Sequence, residues 1–155
     1  MTEVAKWYDE ITIPALLRFA RGAYGNAIRA ALAEAGYDDV PSNGIFVIGA
    51  IARTGAPLSN IIDHLGVSKQ AAGQLVDSLV LRGYLEREVD PEDRRRLRVN
   101  LSERGTAAAA VSRATVERID AELIERVGPA YISHTRATLA ALIGLGRAEK
   151  SDPEE

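Results

Sequence analysis

The chain has 155 residues, 46% hydrophobic and 26% charged, a globular balance that excludes wholesale disorder. That length suits one domain or two small subdomains sharing a core. Cysteine is absent and the only histidines are His64 and His134, which removes disulfides, thiol nucleophiles and cysteine-ligated zinc. The net charge of −3 argues weakly against a nucleic-acid partner, yet sixteen of nineteen basic residues are arginine and four of them fall in Arg94-Arg95-Arg96-Leu97-Arg98. Screening beyond about 8–10 Å makes such a local knot matter more than the total. No apolar run of about 18 residues occurs and MTEVAKWYDE lacks a signal-peptide pattern. A soluble, cytoplasmic chain with no membrane partner is therefore expected.

Val4, Trp7, Tyr8 and Ile11 keep helical spacing, which predicts a short helix before Ile11-Thr12-Ile13 breaks it. Pro14 suits the first turn of a new helix. The stripe Leu17, Ala20, Tyr24, Ala27, Ile28, Ala31, Leu32, Ala35 carries that helix to Gly36, a cap residue. Gly22 and Gly25 inside it predict close approach of another helix. After a loop over residues 37–42, a second helix is expected from Ser42 to Arg53 and a third from Pro57 to Leu65. A fourth runs from Lys69 to Arg82, with Ala72, Leu75, Val76 and Leu79 inward and Gly83 closing it.

The period then changes to two. Leu85, Arg87 and Val89 alternate with Glu86 and Glu88, and Leu97, Val99 and Leu101 alternate with Arg98 and Asn100, around the turn cluster Asp90–Arg95. This predicts a β-hairpin. Ser102 caps the next helix, which runs to Val127 with Ala108, Val111, Thr115, Ile119 and Leu123 on one stripe. Gly128-Pro129 stops it, a last helix covers Ala130–Leu145, and the polar tail from Arg147 is expected to fray.

Two short helices joined by Gly66-Val67-Ser68 and followed at once by a hairpin make a winged helix-turn-helix. Ser68 caps the second helix and offers its hydroxyl and the exposed amides to a phosphate. The face opposite the apolar one must present Lys69, Gln70, Gly73, Gln74, Asp77 and Ser78. A cation and two amides can read base edges in the major groove, and Gly73 leaves room for close backbone approach. At the hairpin tip, Arg94 and Arg95, steadied by Asp93, suit a narrow minor groove, while Arg96 and Arg98 can hold flanking phosphates. An arginine run alone is more often a solvated surface. Its position directly after a recognition helix is what favours double-stranded DNA.

The stretch LSNIIDHLGVSKQAAGQLVDSLVLRGYLERE, followed by DPEDRRRLRVNLSERG, resembles the MarR-type (multiple-antibiotic-resistance regulator) transcriptional regulators. The DPEDRR tip followed by a strand and Leu-Ser-Glu-Arg-Gly is the specific part of the match. The resemblance implies a fold that is mainly α with a two-stranded β-wing, flanked by long N- and C-terminal dimerisation helices. The expected divisions are 1–36 for the N-terminal helices, 42–105 for the winged domain (recognition helix about 68–82, wing about 85–101), 106–146 for the C-terminal dimerisation helices and 147–155 for the tail. It also implies that Arg94 or Arg95 enters the minor groove, that the protein is a homodimer and that it acts as a repressor. The apolar stripes of the long terminal helices support a dimer independently, since the winged module has its own core. A two-fold dimer would read a pseudo-palindrome with half-sites about 10 bp apart.

Relatives of this type are often released from DNA by small aromatic anions. Trp7, Tyr8, Tyr24 and Phe46 are the aromatic candidates for such a site, with Arg18 or Arg21 as carboxylate partner; aromatics at helical spacing also serve simply as core. A cysteine-based peroxide sensor is excluded. No metal-ligand spacing, phosphate loop, nucleophile elbow or dinucleotide fingerprint occurs, so neither an enzyme nor a cofactor is expected. The alternative from another class is a winged module that binds protein rather than DNA.

Overall fold

The computed structural model describes residues 7–54, 68–90 and 97–148. The expected third helix, Pro57–Leu65 with His64, lies outside the described residues. In chain order the elements are α1 (Ile13–Glu34), α2 (Gly44–Thr54), α3 (Lys69–Leu81), β1 (Leu85–Val89), β2 (Leu97–Leu101), α4 (Glu103–Val127) and α5 (Pro129–Ala148). The chain divides into two compact units, Met1–Val116 and Glu117–Glu155, with α4 crossing the boundary. Among the described residues, no helix is long and apolar enough to cross a membrane.

α1 begins as its sequence suggests. Thr12 is extended, with φ −64° and ψ 146°, and its carbonyl accepts from the Leu16 amide at 3.0 Å, while Pro14 occupies the first turn. The helix predicted ahead of it is not seen in its described part. Residues 7–10 form a turn, closed by the Ile11 amide donating to the Tyr8 carbonyl. Short helices are marginal in water unless a packed face supports them, and here Trp7 and Tyr8 are exposed. Among the described residues, no other helix closely approaches the two glycines of α1. A Cβ at Gly22 would meet nothing within 4 Å, and one at Gly25 would meet only the Arg29 guanidinium.

The core of the first unit gathers Ile28 and Leu32 from α1, Ile45, Val47 and Ile48 from α2, Val76 and Leu79 from α3, Tyr84 and Leu85 at the start of the hairpin, and Ala108 and Ala109 from α4. Burying each of the larger aliphatic side chains contributes about 1.5–3 kcal/mol. The same packing turns the exposed side of α3 outward.

α1 and α3 end in the same way. At each, a glycine adopts positive φ, Gly36 at 84° and Gly83 at 74°. Its amide donates to the carbonyl three residues back, and the amide of the following tyrosine donates to the carbonyl five residues back, Tyr37 to Leu32 and Tyr84 to Leu79. Only glycine adopts this backbone at little cost, and the paired bonds satisfy carbonyls that the helix end would leave open. Each ending therefore delivers a tyrosine inward. The two rings meet edge-on with centroids 6.3 Å apart.

β1 and β2 pair antiparallel, with Leu85 opposite Leu101, Arg87 opposite Val99 and Glu88 opposite Arg98. Residues directly opposite share a face, so Leu85, Arg87, Val99 and Leu101 lie on one face and Glu86, Glu88, Arg98 and Asn100 on the other.

In the second unit, Arg118 pairs with Glu122 at 3.0 Å and Arg136 with Asp120 at 3.3 Å. Ile119, Leu123, Ile132 and Leu139 are half-buried, while Tyr131, Leu142, Ile143 and Leu145 are exposed. α5 continues to Ala148, past the expected start of fraying at Arg147.

Candidate nucleic-acid interface

The recognition helix is α3. Ser68 stands before it in an extended conformation, and its hydroxyl oxygen accepts from the Ala71 amide at 3.2 Å. Such a cap contributes about 1 kcal/mol and leaves the hydroxyl proton available to another acceptor. Ala72, Val76 and Leu79 are buried and Leu75 is half-buried, as their spacing predicts. Lys69, Gln70, Gly73 and Gln74 are all exposed, in the first turns of the helix. A Cβ at Gly73 would meet nothing within 4 Å, so the backbone there is open to close approach.

Two other residues expected on this face are already engaged. The Asp77 carboxylate accepts from Nη2 of Arg87, which reaches across from β1. Ser78 is half-buried, and its hydroxyl oxygen accepts from Nε of Arg82 at 3.2 Å. Asp77 is nonetheless exposed as predicted, so the exposed face extends to it with its carboxylate paired.

On the wing, Arg98 is exposed on β2 opposite Glu88, on the face that carries Glu86 and Asn100. Asn100 donates to the Glu88 carboxylate at 2.9 Å. Asp93, Arg94, Arg95 and Arg96 lie outside the described residues. Of the expected groups, the structure therefore assembles Ser68, Lys69, Gln70, Gly73 and Gln74 on one helix and sets Arg98 on the neighbouring hairpin.

A junction at the base of the wing was not foreseen from the sequence, where Asp38-Asp39 reads as a plain loop. The Tyr84 hydroxyl donates to the Asp39 carboxylate, and Nη2 of Arg104 donates to Asp39 at 2.9 Å and to the Tyr84 oxygen at 3.1 Å. The Arg104 guanidinium also lies 4.7 Å from the centroid of the Tyr84 ring. Donation from Tyr84, with Arg104 and Arg82 nearby, holds the Asp39 carboxyl below the usual carboxylate range. Burial, and then the Asp39 carboxylate, push the Tyr84 hydroxyl above the usual phenol value.

The Leu-Ser-Glu-Arg-Gly motif gains a physical meaning here. Leu101 ends β2, and the Ser102 hydroxyl donates to the Gly83 carbonyl at 2.5 Å while accepting from the Gly105 amide at 3.0 Å. Glu103 opens α4 and Arg104 supplies the ion pair. Gly105 lies so near Tyr84 that a Cβ would overlap the Tyr84 carbonyl oxygen and stand 3.0 Å from its carbon. The motif therefore ties the recognition helix's end, the wing and α4 into one joint. The repeated Gly-Tyr at 36–37 and 83–84 was the signal that could have revealed it.

The residues expected around a small ligand are placed separately. Trp7 and Tyr8 meet edge-on at 5.9 Å, and Arg21 lies 4.6 Å from the centroid of the Phe46 ring. Arg18 is exposed and Tyr24 half-buried. A shallow depression of about 200 Å³ opens elsewhere, between Arg29 and Leu32 of α1, Tyr37 and Ile45, and none of the six expected residues lines it. His134 is exposed on α5. Among the described residues, no cluster of histidine and carboxylate side chains could hold a metal.

Residues 39–96 match the sequence model of the MarR family. Over that stretch, which holds the winged core, the chain is similar to the MarR family. The fold agrees over a longer span. The S. aureus MepR–DNA complex superposes with a TM-score of 0.69 at 17% identity, covering 87% of this chain and 98% of that one. The transcriptional repressor CouR, bound to a 23-mer DNA duplex, gives 0.66 at 21% identity, with 92% and 99% covered. Wild-type apo MarR from E. coli gives 0.61 at 19%, with 85% and 97% covered. No curated protein matches the chain by sequence. The fold is that of these MarR-type structures, and two of these neighbours were solved on DNA.

Proposed function

We propose that the chain is a homodimeric, sequence-specific DNA-binding transcription regulator acting as a repressor. The observation that carries this reading is the outward end of α3, where a capped helix N-terminus presents Lys69, Gln70 and Gln74 beside an antiparallel hairpin. Lysine can donate to guanine O6 and N7, and a glutamine amide can pair with adenine N6 and N7. In this reading Gln70, Gln74 and Lys69 read bases and Gly73 permits the approach. Ser68, Arg96 and Arg98 take phosphates, and Arg94 or Arg95, steadied by Asp93, enters the minor groove. The solved DNA complexes of MepR and CouR support a duplex as partner.

A dimer is supported by large apolar side chains that are exposed among the described residues. On α5, Tyr131 is 69% exposed and Leu145 68%, and Phe19 on α1 is 64% exposed. A pair of two-fold-related chains would cover such stripes and set two recognition helices about one duplex turn apart. A small aromatic anion that releases the DNA belongs to the same reading, with Arg21 and Phe46, already stacked, as the first residues to examine.

Selection of binding sites from random duplex DNA tests the proposal. Enrichment of a pseudo-palindrome, with binding nearly abolished in the Arg94→Ala/Arg95→Ala double variant, is the expected result. No enrichment, with a protein partner bound equally by wild type and variant, would replace it with a protein-interaction module.

A further inference from the structure

We propose that Arg87 on β1 is a DNA phosphate contact held in place by Asp77, a role that rests on the DNA-reading function proposed above. Arg87 lies on the same hairpin face as Leu85 and Leu101 and reaches α3, where Nη2 donates to the Asp77 carboxylate. The pair bridges recognition helix and wing near the outer surface, with side-chain exposures of 43% for Arg87 and 67% for Asp77. Exposed ion pairs contribute little to stability, so folding alone gives a weak reason for this one.

Its position gives a better reason. A helix in the major groove and a hairpin in the adjacent minor groove straddle the sugar–phosphate strand between them, and a cation at their joint faces that strand. Asp77 sits on α3 seven residues beyond Gln70 and three beyond Gln74, about 10 and 5 Å along the axis. It is therefore close enough to the base-reading end for its partner to meet the flanking backbone. A guanidinium has five N–H donors in a fixed fork, so a bond to Asp77 orients Arg87 while other donors can meet a phosphate. Arg98 points from the opposite face of the hairpin, beside Glu88, and does not duplicate this placement.

The test is a salt titration of wild-type protein and variants on a selected duplex and on a scrambled one. Arg87→Ala should weaken binding severalfold on both duplexes and reduce the magnitude of the log–log salt slope by about 0.9, the value of one phosphate contact. Arg87→Lys keeps the charge without the fork, so its slope should stay near wild type while affinity falls. The Arg87→Ala/Asp77→Asn double variant separates a phosphate contact from simple masking of a carboxylate. It should keep the reduced slope. Recovery of wild-type affinity and slope in the double variant would mean that Arg87 only neutralises Asp77, and would overturn the inference. So would wild-type binding by Arg87→Ala. Failure of the wild-type protein to bind any duplex is a separate result, which removes the DNA-reading function itself.

Discussion

At the base of the wing, Tyr84 is fully buried and its hydroxyl, Asp39 and Arg104 are bonded to one another, whereas along α5 the side chains of Tyr131, Leu142, Ile143 and Leu145 face solvent. Among the described residues, no buried side-chain nitrogen or oxygen lacks a partner. The wing base completes itself within one chain, because two helix endings and the start of α4 supply all its groups. α5 carries apolar area that is exposed among the described residues, and in the proposed dimer a second copy would bury it. Self-contained and incomplete surfaces should respond differently to substitution.

The largest effect is expected where backbone meets backbone. Gly105→Ala places a methyl group against the Tyr84 carbonyl, which cannot rotate away, and should cost about 3 kcal/mol or more in thermal or denaturant unfolding. Tyr84→Phe comes next. It removes the donor to Asp39 and should cost about 1–2 kcal/mol.

The same joint has an acid-side signature. Asp39 titrates below its unfolded value in the folded chain. Its stabilisation is therefore complete above the unfolded pKa of about 4 and is lost as pH falls through the lower folded value. Asp39→Asn should be less stable at neutral pH and should show a shallower loss below pH about 4, measured by urea unfolding across a pH series.

Ser68→Ala removes the cap of α3 and should cost about 1 kcal/mol, read from the same unfolding curves. The smallest change in the module's own stability is expected on α5. Ile143→Lys/Leu145→Lys should alter it by about 0.5 kcal/mol or less, yet convert a dimer to a monomer in sedimentation. An unchanged dimer would place the contact elsewhere.

Much of this architecture is legible in the sequence because apolar spacing and turn residues agree. The stripe of α3, the glycines after α1 and α3, and the two-residue period of the hairpin each predict an element that the structure contains. The turn at Trp7–Ile11 departs from the helix its spacing predicts, because spacing alone cannot say whether a helix face will find a core, and Trp7 remains exposed. In the candidate interface, the exposed residues Lys69, Gln70, Gly73 and Gln74 follow directly from the buried positions between them. Asp39, Arg104 and Arg87 did not, because their partners stand 65, 20 and 10 residues away along the chain. Only the fold brings those charges together.

The most direct test of the central claim, that two copies of this chain read one duplex, is a stoichiometric titration of a selected pseudo-palindrome repeated over a range of salt. The account predicts two chains per duplex and an affinity that falls steeply and linearly on a log–log plot as phosphate contacts release their counterions. One chain per duplex, or binding indifferent to both salt and sequence, would contradict it.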